Sequence, residues 1–406
     1  MTEAVIIDAV RTPRGKGKPG GGLHAVHPQE LVAQLLRALS QRTGLDESDV
    51  DDVVLGNGEH AGDHANDIAR SAVLAAGWPV TVPGLTLNRF CGGAQQALMA
   101  AATGVLAGWQ QAVVAGGVES MSRAQHGFPL DAGNVALQAR YPLVPQGISA
   151  DLIATREGFS RTDVDEVAVR SQALAATAQQ EGRFGRSLVP VTGADGEVLL
   201  DRDELVRPGT SLETLAGLGA SFERAGTKPR EPDGRSYDDR VRSVYPDVDS
   251  VRHVHTAGNS SGVVDGASAV LVCSREYADA HGLVPRARLV SGAVVGAEPV
   301  IMLTAPGPAS LACLDRARMS VGDIDLWEVN EAFAAVVLKT VRDLKLDEDR
   351  VNVNGGAIAM GHPIGATGGM LVGTLLDELE RRDLERGLVT MCTGGGMATA
   401  TIIERL

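Results

Sequence analysis

Four short stretches hold reactive side chains, three of them among glycines: Asn88-Arg89-Phe90-Cys91-Gly92-Gly93, Asn330-Glu331-Ala332-Phe333-Ala334, Gly361-His362-Pro363-Ile364-Gly365, and Cys392-Thr393-Gly394-Gly395-Gly396. Cys91 sits where a short apolar run gives way to an Ala-rich helical pattern reaching about residue 106. At such a corner the unpaired backbone N–H groups and the positive end of the helix dipole favour thiolate over thiol, which makes Cys91 a candidate nucleophile. The other reading is a small buried core residue, the usual fate of a free cysteine. Cys392 alone has the same alternative, and His362 or Asn330 taken singly reads as a turn residue. His60 and His64 have a His-x-x-x-His spacing that metals use, but no third ligand follows at a sensible spacing, so no metal is expected.

These stretches need a scaffold, and 406 residues with 44% hydrophobic content provide a soluble globular chain of two or three domains. A net charge of −14 argues against nucleic acid as a partner, because phosphate neutralisation needs a basic face. The four cysteines are widely spaced with no Cys-x-x-Cys pair, as in reduced cytosolic proteins. No secretory signal is expected at the N-terminus, no peroxisomal address at the C-terminus, and no apolar run long enough for a membrane span. A cytoplasmic location is therefore expected.

Strands are expected at residues 5–10, 52–55, 84–87 and 112–115, the last closed by Gly116-Gly117. Helices are expected at about 31–43, with Gly44 as C-cap, at 67–76 and after Cys91. This alternation predicts an α/β fold with mainly parallel sheets covered by helices. The last 120 residues or so repeat the pattern of the first. Asp49-Val50-Asp51 corresponds to Asp323-Ile324-Asp325 at an offset of 274, and the strand from Ala112 corresponds to that from Leu388 at an offset of 276. The Cys91 turn and helix then match the His362 turn and its helix, as expected of a duplicated domain. Gly56 is matched by Asn330 and Gly116 by Cys392, so each reactive side chain occurs in one half only. Halves packed back to back would bring these loops to one site.

Between the halves, about residues 123–263 differ in character, with helical stretches at 149–159 and 161–179. A charged run from Glu223 to Ser250, with Pro229, Pro232 and Gly234, reads as a solvated excursion.

The four stretches together, extended by Gly355-Gly356-Ala357-Ile358-Ala359-Met360 before the His362 turn and by Met397 after the glycines, resemble the thiolase family over almost the whole chain. The resemblance implies a duplicated thiolase fold, two mainly parallel or mixed sheets in a five-layer αβαβα arrangement with an inserted loop domain. It divides the chain into an N-terminal half of residues 1–122 with 264–285, a coenzyme A-binding loop domain of 123–263, and a C-terminal half of 286–406. The implied activity is acyl transfer between coenzyme A thioesters, by thiolysis of a 3-oxoacyl-CoA or the reverse Claisen condensation, as in fatty-acid β-oxidation. In that pattern Cys91 carries the acyl group, His362 activates it, and Cys392 is the acid/base, a task that suits a thiol pKa not far above neutrality. His362 with a water held by Asn330 would form one oxyanion hole, and the N–H groups of Cys91 and Gly394 the other.

The resemblance further places Arg207, Thr214, Phe222 and Ser261 along coenzyme A and Met302 and Phe333 around the acyl pocket, with acyl-CoA as substrate and no metal. It implies a homodimer or a dimer of dimers. Three departures stand out: Gly92-Gly93 where many members carry serine after the nucleophile, Gln146 where many carry methionine, and a long segment from Glu223 to Arg252. Two alternatives remain. A decarboxylating condensing enzyme shares the duplicated fold but needs no second thiol base, and a non-catalytic acyl-CoA or lipid-binding relative needs none of the four side chains.

Overall fold

The duplication is visible as two strand arrays of the same order in the computed structural model, which describes residues 2–124, 130, 133–230 and 234–406. In the first half, strands β1 (Ala4–Arg11), β2 (Asp52–Gly56), β3 (Gly84–Leu87), β4 (Ala112–Ser120) and β5 (Val264–Ser274) lie side by side as β3-β2-β4-β5-β1. In the second, β6 (Ala287–Gly296), β7 (Leu326–Val329), β8 (Arg386–Thr393) and β9 (Met397–Arg405) lie as β7-β8-β9-β6. Val351 bridges Trp327 in parallel on the outer side of β7, at the place β3 takes in the first half. The two arrays join edge to edge where β1 meets β6 over two pairs, Val5 with Arg288 and Ile6 with Ala287. The expected two sheets are thus bridged into one, of ten strands among the described residues once the two-residue strand Gly15–Lys16, paired to β5, is counted.

Strand direction is mixed rather than mainly parallel. Neighbours joined through helices, β2 with β3 and β4, and β7 with β8, run parallel, whereas β5, β1, β9 and β6 pair antiparallel. The β8–β9 pair is a hairpin closed by Gly394-Gly395-Gly396, with Gly395 and Gly396 at φ +80° and +76°. Those angles suit glycine because a Cβ would meet the backbone there. Gly116-Gly117 does not end its strand, contrary to expectation; β4 continues to Ser120. A Cβ on Gly117 would lie 2.0 Å from the carbonyl oxygen of Gly365, so this glycine admits the His362 turn against the strand.

Helix α1 (Pro28–Thr43) starts with proline in its first turn and stops at Gly44 in the left-handed region, as its sequence predicts. Two helices fill the space between the halves: α2 (Gly93–Leu106), which follows Cys91, and α7 (Thr367–Arg382), which follows His362. Every residue of α7 from Thr367 to Leu379 is buried, as befits a helix packed on all sides. Leu98 and Ala101 of α2 share one apolar core with Leu371 and Leu375 of α7 and with Val113, Val270 and Val389 from both halves.

The intervening segment contributes α3 (Gln146–Glu157) and α4 (Arg161–Gln180), the latter opened by a capping box of Ser160 and Asp163. The charged run is not the solvated excursion expected. It forms a short helix, Glu223–Thr227, and α5 (Tyr237–Val244), whose Val241 is fully buried. Val241, Val248, Val251 and Val254 join a core with Ile148 and Leu152 of α3 and with Val336 of α6 (Ala334–Leu344). Val241 and Val248 within the run, with Val251 and Val254 just after it, provide one apolar face among charges that give the run a polar average. Pro232 lies outside the described residues. His253 fastens this segment: its Nδ1 lies 2.7 Å from Asp151 Oδ2 and its Nε2 3.1 Å from Asp238 Oδ2. Burial works against the imidazolium, and the hydrogen bonds to Asp151 and Asp238 outweigh it, raising His253 to about 9.

Candidate active site

The turn before Cys91 is tightly specified. Asn88 Oδ1 accepts the Phe90 N–H at 2.8 Å, and Phe90 takes φ +47°, a conformation that costs a non-glycine residue about 1–2 kcal/mol. The start of α2 has no side-chain cap. Instead the Ala94 N–H donates to the carbonyl of Gly365 at 3.0 Å, so the turn that carries His362 caps the helix that carries the nucleophile. Gly56 makes room for this junction, because a Cβ there would lie 2.2 Å from the carbonyl carbon of Gly93.

Cys91 is 3% exposed. Burial pushes its thiol up to about 11, against the N–H groups of Gly394 and of Cys91 itself, while Glu119 adds to the rise and the nearby Gln146 side chain opposes it. The expected thiolate preference at the helix start is therefore overturned: removal from water outweighs the donors at the corner, and the resting group is a thiol.

His362 is also buried, and burial with the nearby charge of Arg14 lowers it to about 3. Its Nδ1 lies 2.6 Å from Thr367 Oγ1, and that hydroxyl donates its single proton to the Pro363 carbonyl at 2.9 Å. Thr367 can therefore only accept from the ring, which puts the imidazole proton on Nδ1 and leaves a lone pair on Nε2. Asn330 Nδ2 stands 3.4 Å from that Nε2. Asn330 Oδ1 is buried with no hydrogen-bond partner among the described residues. A buried amide oxygen of this kind suits a bridging water that gives it one proton and keeps the other for a ligand.

Cys392, at the end of β8, is 1% exposed, and burial together with the Cys91 sulfur beside it holds its thiol well above the ordinary range. The structure thus sets Gly394 and Cys392 beside Cys91, sets Asn330 beside His362, and ties the two groups through the bond from Ala94 to Gly365. The other expected contacts divide. Phe222 and Phe333 meet edge to face at 5.8 Å and line a cavity of about 470 Å³ next to Cys91. Met302 is fully buried in the core that also holds Phe333 and Cys392. Arg207, Thr214 and Ser261 do not line that cavity. Arg207 is exposed and donates its N–H to Gln172, Thr214 caps its own short helix through Ser211, and Ser261 donates its N–H to the Ala332 carbonyl.

His60 and His64 are engaged elsewhere, His60 with the Asn57 carbonyl and His64 as acceptor of the Ser120 N–H. Sequence reasoning missed Glu119 and Thr367. Glu119 accepts the N–H groups of Gly58 at 2.8 Å, Glu59 at 3.1 Å and Gly365 at 2.9 Å, tying the His362 turn to the loop after β2. Burial raises its carboxyl to about 7, with the three N–H donors opposing. An acid inside an otherwise apolar buried strand was the available signal for it.

Comparison with known proteins gives a consistent picture. The family described as Thiolase, N-terminal domain matches residues 4–229, and that described as Thiolase, C-terminal domain matches residues 283–405. The 3-ketoacyl-CoA thiolase of Serratia proteamaculans is 40% identical over 415 residues, covering 100% of both chains. An Escherichia coli 3-ketoacyl-CoA thiolase is 40% identical over 418 residues with the same coverage. The acetyl-CoA acetyltransferase of Bacillus anthracis superposes with a TM-score of 0.84 at 37% identity, over 100% of this chain and 99% of that one.

Proposed function

The chain belongs to the thiolase family, and from that premise we propose that Cys91, His362, Asn330, Cys392 and the N–H groups of Cys91 and Gly394 carry out its reaction. That reaction is acyl transfer on coenzyme A thioesters: thiolytic cleavage of a 3-oxoacyl-CoA, or the reverse condensation. The observation that carries the residue roles is the His362 tautomer, which leaves a lone pair on Nε2, at the ring edge that meets Asn330.

Both partners rest neutral, because burial raises Cys91 and lowers His362. Proton transfer to Nε2 therefore accompanies attack of Sγ on the 3-oxo carbon instead of preceding it. The resulting alkoxide sits at the Cys91 and Gly394 N–H groups. Its collapse breaks the bond between C2 and C3, leaving the acyl group on Cys91 and an enolate of acetyl-CoA. The Nε2–H of His362 and a water on Asn330 Oδ1 stabilise the enolate oxygen, and Cys392 gives its proton to C2. A raised thiol pKa suits Cys392 to this acid role, since it holds its proton until a strong base forms. Coenzyme A then returns a proton to the Cys392 thiolate as its sulfur takes the acyl group, and the His362 proton goes back to Cys91.

Residues 123–263 are read as the coenzyme A-binding loop domain between the two halves. The protein is read as a cytoplasmic homo-oligomer. Support comes from its four free cysteines and from β3, which ends the sheet with Leu85 half exposed. The presence of Cys392 beside Cys91 disfavours a decarboxylating enzyme.

The test is Cys392→Ala with radiolabelled acetyl-CoA. Label is expected to accumulate on Cys91 while thiolysis and condensation fall about a thousandfold or more. Robust thiolysis by this variant would remove Cys392 from the acid/base role.

A further inference from the structure

The cavity beside Cys91 is mostly apolar, with Leu143, Val144, Phe222 and Phe333 in its wall, yet beside Gln138 of the helix Val135–Arg140 two further polar side chains line it, Gln146 and Tyr237. These two side chains open two helices, Gln146 at the start of α3 and Tyr237 at the start of α5. One residue spans the pair: His253 joins Asp151 of α3 to Asp238 of α5. Their spacing is thus built into the fold, and the second helix comes from the long charged segment that the sequence left without a role.

Gln146 and Tyr237 line the cavity together with Cys91. A primary amide brings two N–H donors and an acceptor oxygen to the cavity wall, and a phenol brings one hydroxyl. Both side chains are partly exposed, so water can satisfy them while the cavity is empty. An acyl group that fills the cavity displaces that water, and a polar group left without a partner there is unfavourable. A saturated alkyl chain offers nothing in return, and a thioester sulfur is a weak acceptor. An acyl group bearing an oxygen within reach of the thioester supplies a partner.

Resting on the thiolase reading, we propose that the acyl group transferred to Cys91 carries a hydrogen-bonding oxygen near the thioester, as a hydroxyl, oxo or ring oxygen, and that Gln146 and Tyr237 recognise it. A plain alkyl chain is the disfavoured substrate.

The experiment compares pairs of 3-oxoacyl-CoA thioesters of equal length, one alkyl and one oxygenated in the transferred part. The kcat/KM values are measured for the wild type, Gln146→Met and Tyr237→Phe, with the KM for coenzyme A followed separately. The wild type is expected to favour the oxygenated member about tenfold or more, and Gln146→Met to erase most of that ratio, with a smaller loss in Tyr237→Phe. Equal use of both members, or preference for the alkyl one, overturns the proposal. So does a Gln146→Met variant that raises the KM for coenzyme A and leaves the ratio intact, since the amide would then serve the pantetheine arm. Acetoacetyl-CoA is the separate control. Its turnover by the wild type upholds the thiolase reading whatever the ratio, and failure of every thioester including this one refutes that reading and the proposal with it.

Discussion

The first half of the molecule brings to the site a nucleophile and space, whereas the second brings the groups that move protons and hold charge. At matched strand ends Gly56 faces the role of Asn330, and Gly116 that of Cys392, while the turn carrying Cys91 pairs with the turn carrying His362. The strand order is the same on both sides, so this contrast owes nothing to topology. The small residues of the first half allow close approach: a Cβ on Gly56 would strike the start of α2, and one on Gly117 the Gly365 carbonyl. The room left by these glycines is taken by backbone, the start of α2 at Gly56 and the His362 turn at Gly117, so the first half contributes space where the second contributes side chains.

The contrast can be broken from either side. Cys91→Ala removes the only acyl acceptor and is expected to lower kcat by about 10⁴-fold or more, with no labelled acyl-enzyme on mass spectrometry. Asn330→Ala makes the second half resemble the first at that position. Turnover should fall about a hundred- to a thousandfold, with Cys91 acylation by acetyl-CoA much less affected, as a stopped-flow comparison of the two steps would show. Gly117→Ala acts from the first half on the second. Its methyl pushes on the Gly365 carbonyl, and the expected loss is about 1–3 kcal/mol in denaturant unfolding, together with reduced kcat because the His362 turn shifts.

The smallest effect concerns the clamp outside both halves. His253 is raised to about 9 from a usual value near 6.5, so folding binds its proton more tightly. The contribution is complete below about pH 6.5 and disappears as pH rises through 9, at most about 3 kcal/mol. Thermal midpoints of the wild type should fall across that window more than those of His253→Gln.

Much of this was legible in the sequence. Cys91, His362 and Cys392 stood out because each sits among glycines at a strand or helix end, Asn330 because it closes a strand, and the two offsets exposed the duplication. The state of Cys91 was not legible, since dipole and donors are local while desolvation depends on what the other half places above the thiol. Glu119 escaped notice because its three donors come from residues 58, 59 and 365, which only the folded chain brings together. Tyr237 was hidden by the charges around it, and Arg207, Thr214 and Ser261 rested on resemblance alone.

The Ala94 N–H held by the Gly365 carbonyl gives the molecule a built-in gauge. This amide exchanges with solvent deuterium only when the Cys91 helix and the His362 turn part, so its exchange rate counts how often the two halves of the site separate. An exchange rate faster than that of neighbouring α2 amides would mean that the catalytic junction opens while both halves stay folded. Equal rates would mean that the junction opens only when the shared core melts.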